Sequence, residues 1–385
     1  MASIFAVLVG INDYPFKPLQ GCINDVDAVE GYLKSNYPAD RLNIRRLTDN
    51  GPIKPTRQGL IDAFDFFADA KPGDTCLFYY SGHGSFSPAP AGLDNNGELY
   101  VQSFVCLDSR GEGGKDLVDK EMAYLIWRRV RSHPDVHFVA ITDCCHSGTI
   151  TKGWIDDSRV TDRMASPGIG HVPATLEEYV GFSDSDFYTK GAAGYFAGQA
   201  KHIHLAASRD NQTSKELLID GGGIRGAFTW SLLKTLNESS GQITYRKLLN
   251  KAKTLTEGLV SNQNPLVHFN GGLPASTNDT IFLSQEKTEK EAVPIPKFIE
   301  QASVPISISV AEQVPAAVKQ LLIDAYPTAR LESSILKNTT GQYIIRALNE
   351  SEVFLSQPGN DGPVFEPEKV ENAGDAQKFL RQCDK

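Results

Sequence analysis

The chain carries six cysteines, Cys22, Cys76, Cys106, Cys144, Cys145 and Cys383, but no C-x-x-C motif and no regular cysteine spacing. That excludes a zinc ribbon or a disulfide framework as the basis of the fold. Scattered thiols point instead to a reducing compartment, and a cytoplasmic location is expected. No apolar run approaches the ~20 residues needed to span a membrane. Nor is there an excess of basic residues: 38 Lys and Arg against 47 Asp and Glu give a net charge of −9. Nucleic-acid-binding domains show the opposite balance, so neither nucleic acid nor membrane is expected as a partner. The opening "MASIFAVLVGI" lacks a basic n-region and a small-residue cleavage site, and reads as a buried strand rather than a signal peptide. The closing "RQCDK" has no natural-looking end, so a longer parent protein is expected.

The chain has 385 residues, 41% of them apolar, which is enough for two or three domains with full cores. Strand-like and helix-like segments alternate through the first half. "IFAVLVGI" (Ile4–Ile11) is a continuous apolar run, as expected of a strand buried on both faces. A helix follows, with Val26, Val29 and Leu33 at helical spacing and Asn24 or Asp25 placed to cap it. Leu42–Asp49 reads as a strand, Thr56–Ala70 as an amphipathic helix and Thr75–Gly84 as a strand running into a glycine-flanked turn. A further helix, "VDKEMAYLIWRRV", precedes the strand "VHFVAITDCCHSG". This order predicts a mainly parallel sheet with helices on both faces.

Residues 151–201 are polar and rich in Gly and Pro, and read as a long mobile surface loop. Regular structure resumes at His202–Ser208, followed by the helices "GAFTWSLLKTL" and "TYRKLLNKAKTLTEGL" and a last strand after "QNP". The predicted peptidase-sized domain is 1–283, followed by a charged, proline-containing linker at 284–297. A small α/β domain of unknown role is expected over 298–385, with strands at "VPISISV" and "QYIIRALNESEVFLS" and a helix at "AAVKQLLIDAY".

In such sheets functional groups collect at the carboxyl ends of strands. Two such ends stand out here, "YYSGHGS" and "TDCCHSG". A thiol nucleophile needs a histidine that takes its proton and returns it to the leaving amine, usually from a distant part of the chain. A lone histidine is usually structural and a lone cysteine usually a small buried hydrophobe. The joint occurrence of Gly-His-Gly and Asp-x-Cys-x-x-Gly at two predicted strand ends favours catalysis. Zinc binding by Cys144, Cys145 and His146 is the poorer reading, because neighbours in a strand point to opposite faces and no second ligand pair appears. A vicinal disulfide would be strained. If the strand runs through Cys145, alternation puts Asp143 and Cys145 on one face and Cys144 in the core, and puts Ser81 and His83 together.

With "LQGCINDVDAV", "HIHLAAS", "GAFTWSLL", "TYRKLL" and "QNP", these motifs resemble the caspase–haemoglobinase clan of cysteine peptidases. Within it they are most similar to metacaspases and their bacterial relatives, over roughly residues 3–275. The resemblance implies a caspase-like three-layer α-β-α sandwich around a mainly parallel six-stranded sheet. It implies a large-subunit-like part at 1–150 and a small-subunit-like part at 202–283. His83 would be the general acid/base and Cys145 the nucleophile, with the N–H groups of Gly84 and Cys145 forming the oxyanion hole. The pocket for a basic side chain would map onto Asp25 and Asp143, lined by Cys22 and Ser81, so cleavage after Arg or Lys is expected.

Many metacaspases hold calcium with four aspartates. Here the matching positions are Asp108, Asp119, Lys120 and Lys152, and two ammonium groups among two carboxylates suit a divalent ion badly. The lysines are expected to replace the ion by pairing with Asp108 and Asp119, leaving a peptidase with no cofactor. Self-processing is possible at Lys152, Arg159, Arg163 or Lys190, with Asp157–Ser166 the most exposed-looking stretch. The expected partners are proteins or peptides with basic residues, and a monomer is favoured. The alternatives are a catalytically idle scaffold or sensor acting through its C-terminal domain, and a transpeptidase of the same clan.

Overall fold

The computed structural model describes residues 2–145, 160–166, 171–209, 212–219 and 223–284, together with five strands between positions 330 and 370. The chain divides into two compact units, Met1–Ala292 and Val293–Lys385.

The first unit opens with β1 (Ile4–Gly10), α1 (Cys22–Asn36), β2 (Leu42–Thr48), α2 (Arg57–Ala63) and β3 (Thr75–Ser81). Three short strands follow, β4 (Gly84–Pro88), β5 (Tyr100–Phe104) and β6 (Leu117–Val118), then α3 (Asp119–Ser132) and β7 (His137–Asp143). Next come β8 (Val160–Asp162), β9 (Tyr188–Lys190), β10 (Tyr195–Ala197), β11 (His202–Ala206), β12 (Lys215–Ile219) and β13 (Gly223–Gly226). Helices α4 (Ala227–Glu238) and α5 (Tyr245–Leu259) lead to β14 (Leu266–Asn270).

Six strands form the central sheet in the order β14-β11-β7-β3-β1-β2, all parallel except β14, which runs antiparallel to β11. β1 and β3 are buried at every position, because both faces are covered. One face packs Ala6, Leu8, Tyr79 and Ile141 against Val26 and Leu33 of α1, Phe228 and Leu232 of α4 and Leu248 of α5. The other packs Val7, Phe78 and Ala140 against Leu60 of α2 and Leu125 and Ile126 of α3. Each fully buried Val, Leu, Ile or Phe side chain among them contributes about 1.5–3 kcal/mol. The mainly parallel sheet expected from the βαβ order, and the three-layer sandwich that the resemblance implies, are the observed fold.

Two local departures have physical causes. The helix predicted over Thr56–Ala70 is α-helical only to Ala63, after which Phe64–Asp69 tightens into a 3-10 turn. That geometry eclipses positions three apart, so Phe64 and Phe67 both reach Phe138 in the core. Residues 171–200 are not the mobile surface loop expected from their composition. Leu176, Tyr179, Phe187 and Tyr188 are buried with Tyr124 of α3 in a satellite core, and β9 and β10 pair as a hairpin. The aromatic residues outweigh the Gly and Pro content of this stretch.

The second unit contains an antiparallel five-stranded sheet: β15 (Arg330–Glu332), β16 (Ile335–Lys337), β17 (Gln342–Asn349), β18 (Glu352–Ser356) and β19 (Glu368–Val370), in chain order. β17 and β18 are the alternating segment seen in the sequence. The segments "VPISISV" and "AAVKQLLIDAY" lie outside the described residues.

Candidate active site

The in-register pairing of Gly10 with Ser81, and of Ser81 with Asp143, brings the carboxyl ends of β1, β3 and β7 to one level. The loop after β1 then carries the chain into α1, whose N-cap is Gly21 with no side-chain cap. Asp25 is therefore not a cap. It sits in the first turn, fully buried and aimed at the strand ends.

One side chain occupies the centre of these groups. Arg163, just after β8, is completely buried. Its Nη2 lies 2.8 Å from Asp25 Oδ2 and 3.3 Å from Glu216 Oε2. Its Nη1 donates to Ser81 Oγ at 2.9 Å and lies 3.3 Å from Asp143 Oδ1. The expectation that Asp157–Ser166 is exposed is thus wrong at its key residue, because a buried cluster of carboxylates outcompetes water for the guanidinium. The surrounding carboxylates hold the Arg163 pKa well above its ordinary value despite burial.

Each carboxylate has further donors. Asp25 accepts from Arg225 Nε at 2.9 Å and from the Gly226 N–H at 3.1 Å. Asp143 accepts from Ser214 Oγ and from both the N–H and hydroxyl of Thr229. Glu216 accepts from the N–H groups of Gln20 and Gly21. A Cβ at Gly226 would come within 2.2 Å of Asp143 Oδ2, so this wall requires glycine. Cys22 is buried beside the pocket, its thiol pushed up by burial, with Arg163 opposing that rise.

The Arg163 backbone is held as closely as its side chain. Its carbonyl oxygen accepts from the N–H groups of Gly84 (3.1 Å) and Cys145 (3.3 Å). Its own N–H donates to Ser214 O at 2.9 Å. On the preceding side β8 adds as an antiparallel strand to β12. On the following side the Ala165 N–H donates to Gly84 O, and Ser85 Oγ donates to Ala165 O. The whole segment Val160–Ala165 is laid into a cleft by strand addition. A Cβ on Gly84 would lie 1.6 Å from Cys145 O, so only glycine allows this approach.

Cys145 is buried, and its Sγ accepts from the Ser214 N–H at 2.9 Å. Burial first, then the Asp162 carboxylate, push its pKa up to about 12, with Ser214, Lys215 and Lys17 opposing. Cys144 packs into the core on the other side of the strand, as alternation requires. His83 is buried against the rings of Tyr14 and Phe16. Its Nε2 lies 2.7 Å from Lys17 O. A carbonyl only accepts, so Nε2 carries the proton and Nδ1 offers the lone pair. Nδ1 makes no hydrogen bond. Burial pulls the His83 pKa down to about 4.

Comparisons with known proteins place the chain in a family. A family model described as "Caspase domain" matches residues 3–271. The chain belongs to the caspase-domain family. It is metacaspase-like within that family, and a cysteine peptidase. It is similar to Metacaspase-1B of Aspergillus terreus, 32% identical over 284 residues, covering 66% of this chain and 71% of that protein. Metacaspase-1A of Aspergillus fumigatus is 32% identical over 275 residues, covering 64% of each. Among solved structures, the fold resembles protein GSU0716 from Geobacter sulfurreducens, with a TM-score of 0.51, 21% identity and coverage of 74% of this chain and 97% of that one.

The remaining candidates lie elsewhere. Lys190 is in the β9–β10 hairpin, paired with Tyr195, with its ammonium over the Tyr195 ring. Lys152, Arg159 and His146 fall outside the described residues. Lys120 Nζ pairs with Asp119 Oδ2 at 3.0 Å. Asp108 does not join that pair but is exposed and accepts from the Arg57 N–H at 2.8 Å. Among the described residues no group of three or more His, Cys, Asp or Glu is placed to hold a metal, and no helix is long and apolar enough to cross a membrane.

Sequence reasoning missed Glu216, Ser214, Arg225 and the Lys17 carbonyl. Glu216 had one signal, a lone carboxylate in the otherwise apolar run "ELLI". Ser214 and Lys17 act largely through backbone atoms, which leave no mark on side-chain patterns.

Proposed function

We propose that this peptidase cuts after arginine through a Cys145–His83 dyad, and that Val160–Ala165 is its own first substrate, with Arg163 before the scissile bond. The observation that carries this reading is the double hold on Arg163. Its guanidinium fills the acidic pocket while its carbonyl oxygen takes both N–H groups at the strand ends.

The chemistry follows from that placement. His83 Nδ1 takes the thiol proton as Sγ attacks the Arg163 carbonyl carbon. The oxygen becomes an oxyanion, stabilised by the Gly84 and Cys145 N–H donors without reorganisation. His83 returns the proton to the Met164 nitrogen, the C–N bond breaks and an acyl thioester remains. Water, deprotonated by the same nitrogen, hydrolyses the thioester and regenerates the thiol. The forked donors of arginine reach Asp143 and Ser81 with one nitrogen and Asp25 and Glu216 with the other, a span that lysine's single ammonium cannot match. Calcium is not required: Lys120 sits on Asp119, where a divalent ion would need oxygen ligands.

The test is a fluorogenic peptide panel with Arg, Lys, Asp or Asn before the cut, run on wild type and Cys145→Ala, with and without chelator. Turnover of the Arg peptide, slower turnover of Lys, none with Cys145→Ala and no chelator effect are expected. Cleavage after Asp or Asn would overturn the acidic-pocket reading. Loss of turnover in chelator, restored by calcium, would overturn calcium independence.

A further inference from the structure

Resting on the arginine-cutting reading, we infer that the cleft has a second charged subsite, built by Thr213 and Lys215, that selects an acidic side chain immediately before the arginine. In the bound segment that position is Asp162. Its Oδ1 accepts from Thr213 Oγ1 at 2.9 Å and lies 3.9 Å from Lys215 Nζ. Lys215 Nζ in turn donates to Thr213 Oγ1 at 2.9 Å and to Thr213 O at 3.1 Å. The ammonium therefore fixes the hydroxyl with its hydrogen turned toward the carboxylate, so the positive charge acts both directly and through the hydroxyl. Lys17 Nζ donates to the Asp162 backbone oxygen at 2.9 Å, which holds any residue there and adds a second positive charge on the same side.

Two adjacent subsites of opposite charge thus read two adjacent residues: three carboxylates for the guanidinium, and an ammonium with a hydroxyl for the carboxylate. The substrate class is an exposed strand ending in Asp-Arg or Glu-Arg. Lys215 is largely buried, while the Asp162 side chain is about half exposed at 47%, so the preference is modest and salt-sensitive. The Asp162 carboxylate also opposes thiolate formation at Cys145, so its selection acts on binding rather than on the chemical step.

The experiment compares two fluorogenic peptides, Val-Thr-Asp-Arg and Val-Thr-Asn-Arg, on wild type and Lys215→Met. Asn keeps the shape and the acceptor but not the charge. In wild type at low salt, kcat/KM is expected to favour Asp by about 3–10-fold, through KM, and to converge as salt rises. In Lys215→Met the ratio falls to about one. Because the ratio is internal to each protein, partial loss of folded enzyme does not move it. Equal rates in wild type overturn the subsite while leaving arginine specificity standing. A ratio kept in Lys215→Met overturns its assignment to that lysine. No cleavage of either peptide overturns the arginine reading itself.

Discussion

The acidic pocket and the proposed Cys145–His83 dyad are built on opposite principles. In the pocket every carboxylate has several donors, and a network of ions is buried intact. At the dyad both groups are buried without charge: a thiol held at about 12 and an imidazole held at about 4. The pocket is stable because its charges are matched. The dyad is quiet because burial disfavours the charged form of both groups. On the proposed reading, specificity is preorganised in the pocket while reactivity is set by the burial of the dyad.

The largest expected effect comes from unmatching the pocket. Asp143→Ala leaves the Arg163 guanidinium and two hydroxyls short of an acceptor, and should cost about 3–5 kcal/mol of stability in a urea melt. It should also lower kcat/KM for arginine peptides by about 10³-fold. Cys145→Ser, which alters only the dyad, should shift stability by less than about 1 kcal/mol. Equal destabilisation by the two would erase the contrast between the regions.

The next effect is on pH. His83, His137 and His202 are each held down to about 4 by burial. The unfolded chain binds these protons near pH 6.5 and the folded chain refuses them. Stability should therefore be level above about pH 6.5 and fall as pH drops from there toward 4, by up to about 2–3 kcal/mol per ring. Urea midpoints at pH 7.0 and 4.5 measure this, and His83→Gln should remove roughly a third of the loss. An unchanged loss in that variant would mean His83 is not held neutral.

The smallest effect concerns the thiol. Arg163→Gln withdraws the anchor of the covering segment. Alkylation of Cys145 by iodoacetamide at pH 7.5, followed by peptide mass mapping, should then quicken about tenfold, while core-packed Cys144 stays unreactive. The same slow rate at Cys145 in both proteins would show that the segment does not shield it.

The sheet, its helices and both strand-end motifs could be read from hydrophobic runs and spacing, because buried strands and amphipathic helices write their environment into the chain. The split of Cys144 from Cys145 followed from strand alternation alone. What escaped notice was partner choice. Arg163 could be named as a basic residue in a polar stretch, but not as the occupant of the pocket, because that depends on where the segment folds back. The satellite core over 171–200 was hidden by the polar and glycine-containing look of the stretch, although its aromatic residues decide the packing. The Lys17 carbonyl that sets the histidine tautomer is a backbone atom and could not have been seen.

The pocket draws on Asp25, Ser81, Asp143, Glu216, Gly226 and Thr229, so no stretch shorter than Asp25 to Thr229 contains it. A chain growing on the ribosome carries the dyad residues long before it carries the β12–β13 hairpin that completes the cleft. Throughout that interval it has a thiol and an imidazole but nowhere to hold an arginine. When the last wall arrives, the pocket and the arginine that fills it belong to the same chain.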